Sequence, residues 1–431
     1  MKKALACATA LIGAGGASAQ SSLTVFGVLD AAVSYYSTES RYVNTGLDVL
    51  DAANPAVFAP HPDLRQSQWV LSTGNYTGSR VGFRGTEDLG GGLAASFWLE
   101  AGIANDTGGG LTAIGLGFNR RSTVSLSGDF GELRAGRDYT PTFWNDNVFD
   151  PFATVGSGAV AISMLLGGAG SAGAIGSLVA NPNYVRANNS VSYFLPPSLG
   201  GVYGQAMYAF GENTKYDPGA LTPPTLNTAR SGRYAGGRLG YASGPLDVAA
   251  AYGSSVIGDD YQRGITRNLN TGNIGGSYDF GTVKLFGEYS HVDLKNVTRI
   301  QPVFTPSGDV TITGYLLGVN VLVGPGLIRA AYSRVQVDIR NVALASPGLD
   351  VPDPVADKFA LGYVHNLSRR TALYATVAVT RNRNGAAIAP ALPPNGSVGF
   401  TNPSIANLLN QGAGYRADTA RGWDFGIRHA F

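Results

Sequence analysis

The chain ends on ADTARGWDFGIRHAF (417–431), in which Trp423, Phe425, Ile427 and Phe431 fall on one side of a period of two and Asp424, Gly426 and Arg428 on the other. Successive side chains of a strand point to opposite faces, so the stretch reads as a strand with one apolar face and one polar or small face. The same alternation recurs towards the N-terminus. Leu23, Val25, Leu29 and Val33 oppose Thr24 and Asp30, and Val81 and Phe83 oppose Arg80, Gly82 and Arg84. Val124 and Leu126 oppose Thr123, Ser125 and Ser127, and Val185, Val191 and Tyr193 oppose Arg186, Asn188, Ser190 and Ser192. One such run is ordinary in a soluble sheet. Repetition along the whole chain points to a wall with lipid outside and water inside.

Composition agrees with that reading. Charged residues make up 14% of the chain and 60 of its 431 residues are glycine, whereas about a quarter of a soluble domain is charged. After the first residues, no stretch reads as a spanning helix flanked by charges. A membrane protein without such helices must pair its backbone N–H and C=O groups between strands, and only a closed barrel pairs them all.

The alternating runs number sixteen, from 23–36 to 417–431, an even count as a single-chain bacterial barrel requires. Tight turns such as Leu89-Gly90, Gly128-Asp129, Ser243-Gly244 and Gly324-Pro325 alternate with long connections at 37–75, 105–117, 139–184, 212–230, 256–267, 295–308, 340–353 and 384–416. The pattern predicts an all-β fold. Residues 21–431 form one transmembrane antiparallel β-barrel with short periplasmic turns, long extracellular loops and both chain ends on the periplasmic side.

The first residues, MKKALACATALIGAGGASAQ (1–20), carry Lys2 and Lys3, an apolar stretch over 4–14, and small residues at Ala17 and Ala19. This is the pattern of a secretory signal cut after Ala19 or Gln20, and it is too short for a spanning helix of about 20 residues. Cys7, the single cysteine, lies inside it, so the mature chain has no thiol for redox chemistry or a Cys-based metal site. Losing Lys2 and Lys3 lowers the basic count from 31 to 29, level with the 29 acids. Neutrality argues against a nucleic-acid partner. Apart from Lys215, Lys284, Lys295 and Lys358 the remaining basic residues are arginines, whose planar, permanently charged head suits a confined, partly desolvated place.

No pattern for bond-making chemistry emerges. A nucleophile needs a base within hydrogen-bond reach and a third group to orient that base. By parity His291, His365 and His429 share faces with apolar residues, His61 lies in a Pro-rich loop, and no Ser, His and acid meet on one inward face. The glycines of GFRGTEDLGGG (82–92) precede neither Gly-Lys-Ser nor a helix, so they are turn glycines and not a phosphate loop. We expect no enzyme, no cofactor and no bound metal.

Two features bear on transport. Residues 151–184 hold no charge, and AVAISMLLGGAGSAGAIGSLVA (159–180) is apolar and small. A spanning helix there would put all later strands on the wrong side, so 139–184 is read as a long third loop folded into the lumen, its apolar part against the barrel. Inward parity assigns Arg80, Arg84, Arg121, Arg134 and Arg186 to the lumen with Glu100 and Glu132, while Asp138, Asp146 and Asp150 lie in or beside that loop. Rings of arginine favour anions and rings of acids favour cations.

Together SSLTVFGVLDA, SRVGFRGTEDLGGGL, FNRRSTVSLSGDFGELRAGRDYTPT, RANNSVSYFLPPSLGGVYGQAMYAF, SGRYAGGRLGYASGPL, LGYVHNLSRRTALYATVAV and the terminal GIRHAF resemble the general diffusion porins of Gram-negative outer membranes, in particular the anion-selective trimeric branch from beta-proteobacteria. The resemblance runs the length of the mature chain. It implies a sixteen-stranded barrel, a homotrimer set in outer-membrane lipid and lipopolysaccharide, a third loop narrowing the pore, and arginines facing that loop. By motif these arginines are Arg80 in SRVGF, Arg120 or Arg121 in NRRST, and Arg186 in RANNS, with Glu100 in FWLEAG the nearby acid. Parity favours Arg121 and the motif Arg120. The family's terminal phenylalanine, an assembly signal, matches Phe431. The uncharged third-loop insertion departs from the pattern. The expected function is passive diffusion of small hydrophilic solutes, anionic or neutral, with a substrate-specific channel for organic acids or aromatic compounds as the alternative.

Overall fold

The computed structural model describes residues 22–43, 63–112, 115–167, 179–215, 228–260, 265–298, 309–340, 353–391 and 414–431. Its strands are β1 (Ser22–Val43), β2 (Leu64–Thr73), β3 (Arg80–Gly90), β4 (Leu93–Ala104), β5 (Gly109–Gly110), β6 (Arg121–Gly128), β7 (Gly131–Tyr139), β8 (Arg186–Phe194) and β9 (Val202–Ala209). They continue as β10 (Tyr234–Ser243), β11 (Leu246–Asp260), β12 (Ile265–Asp279), β13 (Val283–Thr298), β14 (Asp309–Val323), β15 (Gly326–Arg340), β16 (Val355–Asn366), β17 (Thr371–Arg383) and β18 (Gly414–Ala430). Among the described residues two helices, α1 (Pro141–Val148) and α2 (Ala161–Leu166), lie between β7 and β8.

These strands form one 18-stranded antiparallel sheet whose first and last members pair, so the wall is closed. Eighteen strands amount to sixteen staves. β2 and β3 are two halves of one stave, pairing respectively with residues 31–40 and 22–28 of β1, and β5 is a two-residue stub on the end of β4. The expected sixteen-stranded barrel is therefore the observed fold. Neither described helix is long and apolar enough to cross a membrane; the strands cross it.

Several ladders outrun the expected boundaries. β1 continues to Val43 and β2 occupies part of the segment assigned to a loop at 37–75, while β11, β12, β13 and β18 are each extended at their long-loop end. The physical reason is that apolar alternation stops where lipid stops, but backbone pairing does not. Ser37, Thr38, Glu39 and Ser40 keep pairing with β2 on polar residues.

Closure takes place at the two chain ends. Phe431 donates its N–H to the Gly27 carbonyl at 3.0 Å and accepts the Gly27 N–H at 3.1 Å. Its ring covers Gly27 so closely that a Cβ there would stand 2.2 Å from Phe431 Cζ. Exposure is inverted relative to a soluble protein, as the alternation requires: Phe425 is 64% exposed and its neighbour Asp424 2%.

The third loop enters the lumen. Pro141 starts α1, where a missing N–H costs nothing because the first N–H groups of a helix lack partners anyway. Ile162, Met164, Leu165 and Leu166 of α2 pack on inward residues of the far wall, among them Phe286, Val292, Leu294, Ile312, Leu316 and Val335. Each large apolar side chain so covered contributes on the order of 2 kcal/mol. The wall is carved to receive the loop: a Cβ on Gly318 would meet Pro151 Cγ at 2.3 Å, and one on Gly275 would meet Phe149 Cδ2 at 2.4 Å. Residues 168–178 of the apolar insertion lie outside the described residues.

Candidate pore constriction

Docking of the third loop on one wall leaves a gap against the opposite one. That gap is a cavity of about 650 Å³ between loop residues such as Phe143, Trp144 and Asn147 and the inner faces of β3, β4, β6, β7 and β8. Parity places Arg80 on β3, Glu100 on β4, Arg121 on β6, Arg134 on β7 and Arg186 on β8 along this face, and all five line the cavity, together with Asp138 beyond the β7 bulge. Arg120, one residue before β6, lines it too. Both members of the Arg120–Arg121 pair thus face the pore: Arg121 as the first ladder residue, Arg120 from the turn leading into it.

The arginines fall into two groups. In the first, Glu100 accepts Arg120 Nε at 2.6 Å, lies 3.6 Å from Arg80 Nε, and receives Trp98 Nε1–H at 3.1 Å. Arg120 and Arg186 both donate to the Tyr139 hydroxyl, at 3.2 and 2.6 Å, and the Arg186 guanidinium lies 4.2 Å over the same ring. In the second group Arg134 grips Glu132 with Nε and Nη2, at 3.0 and 2.9 Å, and reaches Asp138 with Nη1 at 2.5 Å. Arg121 stands 3.9 Å from Asp138 and lies 4.5 Å over the Trp98 ring. Arg84 sits outside the cavity lining, its guanidinium 5.2 Å from the centre of the Trp98 ring. Aromatic faces hold these guanidiniums in place without cancelling their charge.

Charge bookkeeping is unbalanced. Among the described residues five arginines and two carboxylates line the cavity, which leaves three uncompensated positive charges, or two when Glu132 beside Arg134 is included. Arg186 is the sharpest case. It pairs with no carboxylate among the described residues, and its buried Nε has no acceptor. In a narrow low-dielectric passage such a surplus is felt strongly by an ion.

Asp146 and Asp150, read from the sequence as pore acids, stand elsewhere. Neither lines the cavity. Asp146 is buried at the loop–wall contact, accepting Tyr184 O–H at 2.7 Å and Asn273 Nδ2–H at 2.5 Å, and burial raises its carboxyl above the ordinary range. Asp150 accepts the backbone N–H groups of Phe152 and Thr154, both at 2.9 Å, and of Val160 at 3.3 Å. Burial pushes it up to about 6 in spite of those three donors. It steadies a turn in which Ala153 and Thr154 adopt positive φ, a conformation costing on the order of 1 kcal/mol for each such residue. Parity says nothing about loop residues, and a buried turn with spare N–H groups recruits whatever carboxylate is near. Sequence reading also missed Trp98 and Tyr139, the aromatic supports of the arginines. Trp98 shares its parity with Glu100 and could have been found that way; Tyr139, at the strand end beyond a bulge, could not.

Residues 4–385 match the Gram-negative porin family. The chain is 35% identical over its whole length, and over the whole of the relative, to outer membrane porin protein 32 of Delftia acidovorans. It is 30% identical to an outer membrane porin protein of Bordetella pertussis, covering 89% of this chain and 95% of that one. Among solved structures it superposes on an anion-selective porin from Comamonas acidovorans with a TM-score of 0.69 and 32% identity, over 96% of this chain and all of the other. A closed wall of sixteen staves, an in-folded third loop and end-to-end similarity of sequence converge on one conclusion: this chain belongs to the Gram-negative porin family and forms a passive channel in the outer membrane.

Proposed function

We propose that the channel prefers small anions, and that Arg80, Arg120, Arg121, Arg134 and Arg186, moderated by Glu100, set that preference at the gap beside the third loop. The observation that carries the reading is Arg186, a half-buried guanidinium that lines the gap without a carboxylate partner among the described residues. An arginine stays charged at any physiological pH, so its field is permanent. The name of the Comamonas acidovorans relative, an anion-selective porin, supports the same reading. Arg84 acts one layer away, stacked on Trp98.

Residues 1–20 are a cleaved export signal, 139–184 the constriction loop, and Phe431, clasped to Gly27, the assembly signal. The barrel works as a homotrimer in lipid and lipopolysaccharide, with no bond chemistry. Reversal potentials across a planar bilayer under a potassium chloride gradient test the central claim: the zero-current potential takes the sign of chloride permeation. Arg80→Glu with Arg186→Glu reverses four units of charge and moves it towards cation permeation. Normal conductance with unmoved selectivity in that variant would remove these arginines from the filter, and saturation of flux by one organic acid would replace general diffusion with a specific channel.

A further inference from the structure

A second cavity, of about 470 Å³, opens off the constriction towards the short-turn end, and Tyr76, Thr77, Arg80, Asn320, Arg329 and Arg428 are among the residues that line it. Its position follows from register. Arg329 faces Asn320 across the β14–β15 hairpin, close to its turn, and Arg428 faces Asp30 and Ala372 at the carboxy-terminal end of β18. Arg80 lines both cavities. The two are therefore consecutive along the pore.

The chemistry of this lining is one-sided. Among the described residues three guanidiniums and no carboxylate line it. Arg329 is 4% exposed and its guanidinium lies 4.7 Å over the Tyr76 ring and 4.5 Å over that of Phe152. Its single protein partner among the described residues is the Pro151 carbonyl, at 3.5 Å, and its Nε and Nη2 have none. Arg428 Nε also lacks an acceptor, and its guanidinium stands 5.7 Å from the Tyr76 ring.

The acids nearest Arg329, Asp150 and Asp30, are occupied. Asp30 accepts Tyr374 O–H at 2.5 Å and the N–H groups of Tyr76 and Thr77 at 2.8 and 2.7 Å. Asp150 holds its own turn. Those bonds also fix Tyr76, whose ring packs on Tyr374 with centroids 5.4 Å apart. A pocket in which guanidinium donors outnumber acceptors and no carboxylate answers them is costly unless something fills it, since a buried charge without a partner is among the least favourable arrangements in a protein.

We infer that Arg329 and Arg428, with Arg80 at the entrance, form a second anion station that binds a small oxyanion of the phosphate class after it has passed the constriction. Such an anion offers several acceptor oxygens to donors that diverge in direction, which is the geometry guanidiniums serve best. Asn320, whose amide oxygen is also unpartnered, sits opposite as a neutral contact. The station rests on the proposed anion preference for its supply of ligand, while its binding is a separate property.

The probe is inorganic phosphate added to both chambers of a planar bilayer carrying chloride current. Wild-type current is expected to fall with phosphate concentration. Arg329→Gln with Arg428→Gln weakens that inhibition by about tenfold, the size of one or two lost charge-assisted hydrogen bonds, and leaves the chloride-to-potassium ratio within about twofold because the constriction is intact. Arg428→Gln alone, at the more exposed of the two positions, gives a weaker loss of the same kind and serves where the double variant does not assemble. Phosphate inhibition absent from the wild type, or equal in wild type and variants, overturns the station. So does a selectivity change in the double variant as large as that of Arg186→Gln, which would make both residues part of the filter. A cation-preferring wild type would end the proposed anion preference, yet phosphate inhibition that still depends on Arg329 and Arg428 would leave the station standing.

Discussion

The two inner walls of the barrel obey the same alternation and do opposite things with it. On β3 to β8 the inward positions are arginines and acids, supported by Trp98 and Tyr139 and facing water. On β12 to β16 many inward positions are apolar or glycine, and the third loop covers them. Parity tells which residues point inward. What they meet there is settled by the loop. The charged wall keeps its surplus because the loop docks on the other side, and the loop docks there because that wall offers apolar surface and glycine clearings.

If the loop is held as described, the largest effect comes from unfastening it. Asp150→Ala strips the acceptor from three buried N–H groups and is expected to cost about 3 kcal/mol of loop docking, since each orphaned donor costs about 1 to 3 kcal/mol. Single-channel recordings should show larger, noisier conductance with weaker ion preference; a quiet, selective channel would show that the loop is fixed without Asp150. Next in size is a clash on the loop-bearing wall. Gly318→Leu drives a side chain into Pro151, an overpacking cost of about 2 kcal/mol, and should lower the temperature at which the folded band is lost in detergent gels. The matching change on the charged wall, Arg186→Gln, should leave that temperature unchanged. It should instead move the anion-to-cation ratio by about fivefold, the size of a 1 kcal/mol interaction at contact distance in water. A drop in thermal stability without a change in ratio would recast Arg186 as a structural residue.

The smallest expected effect is of pH. Burial raises the Asp150 carboxyl from 3.8 to about 6 in the folded protein, so between those values the docked loop binds more protons than the undocked chain. Docking is therefore weaker above pH 6, strengthens as pH falls through 6, and reaches its full strength below about 3.8; Asp146, raised by burial as well, adds in the same direction. Channel noise should be lower at pH 4 than at pH 6, the window in which Asp150 takes up its proton, and Asp150→Asn should flatten the difference. Greater noise at pH 4 than at pH 6 would overturn this linkage.

Much of this was legible beforehand, and the residues show why. Trp423, Phe425 and Ile427 faced lipid as their parity required, because a pleated strand admits only two directions. Arg80, Glu100, Arg121, Arg134 and Arg186 reached one cavity for the same reason. Asp146 and Asp150 did not, because a loop has no period and its acids go where buried N–H and O–H groups need them. Arg120 escaped parity by standing one residue outside its strand. Arg329 and Arg428 had the right parity, but their shared pocket joins β15, β18 and the bend between β2 and β3, segments far apart in the chain.

The sequence by itself determined the barrel, its stave count and which strand residues point inward, since strand alternation and the need to pair every backbone group in lipid are local rules applied sixteen times. Tertiary structure alone decided which arginines stay uncompensated, because that depends on where the third loop lands and which acids it takes with it. Charge balance inside a pore is a property of distances between segments, and no period in the chain encodes them.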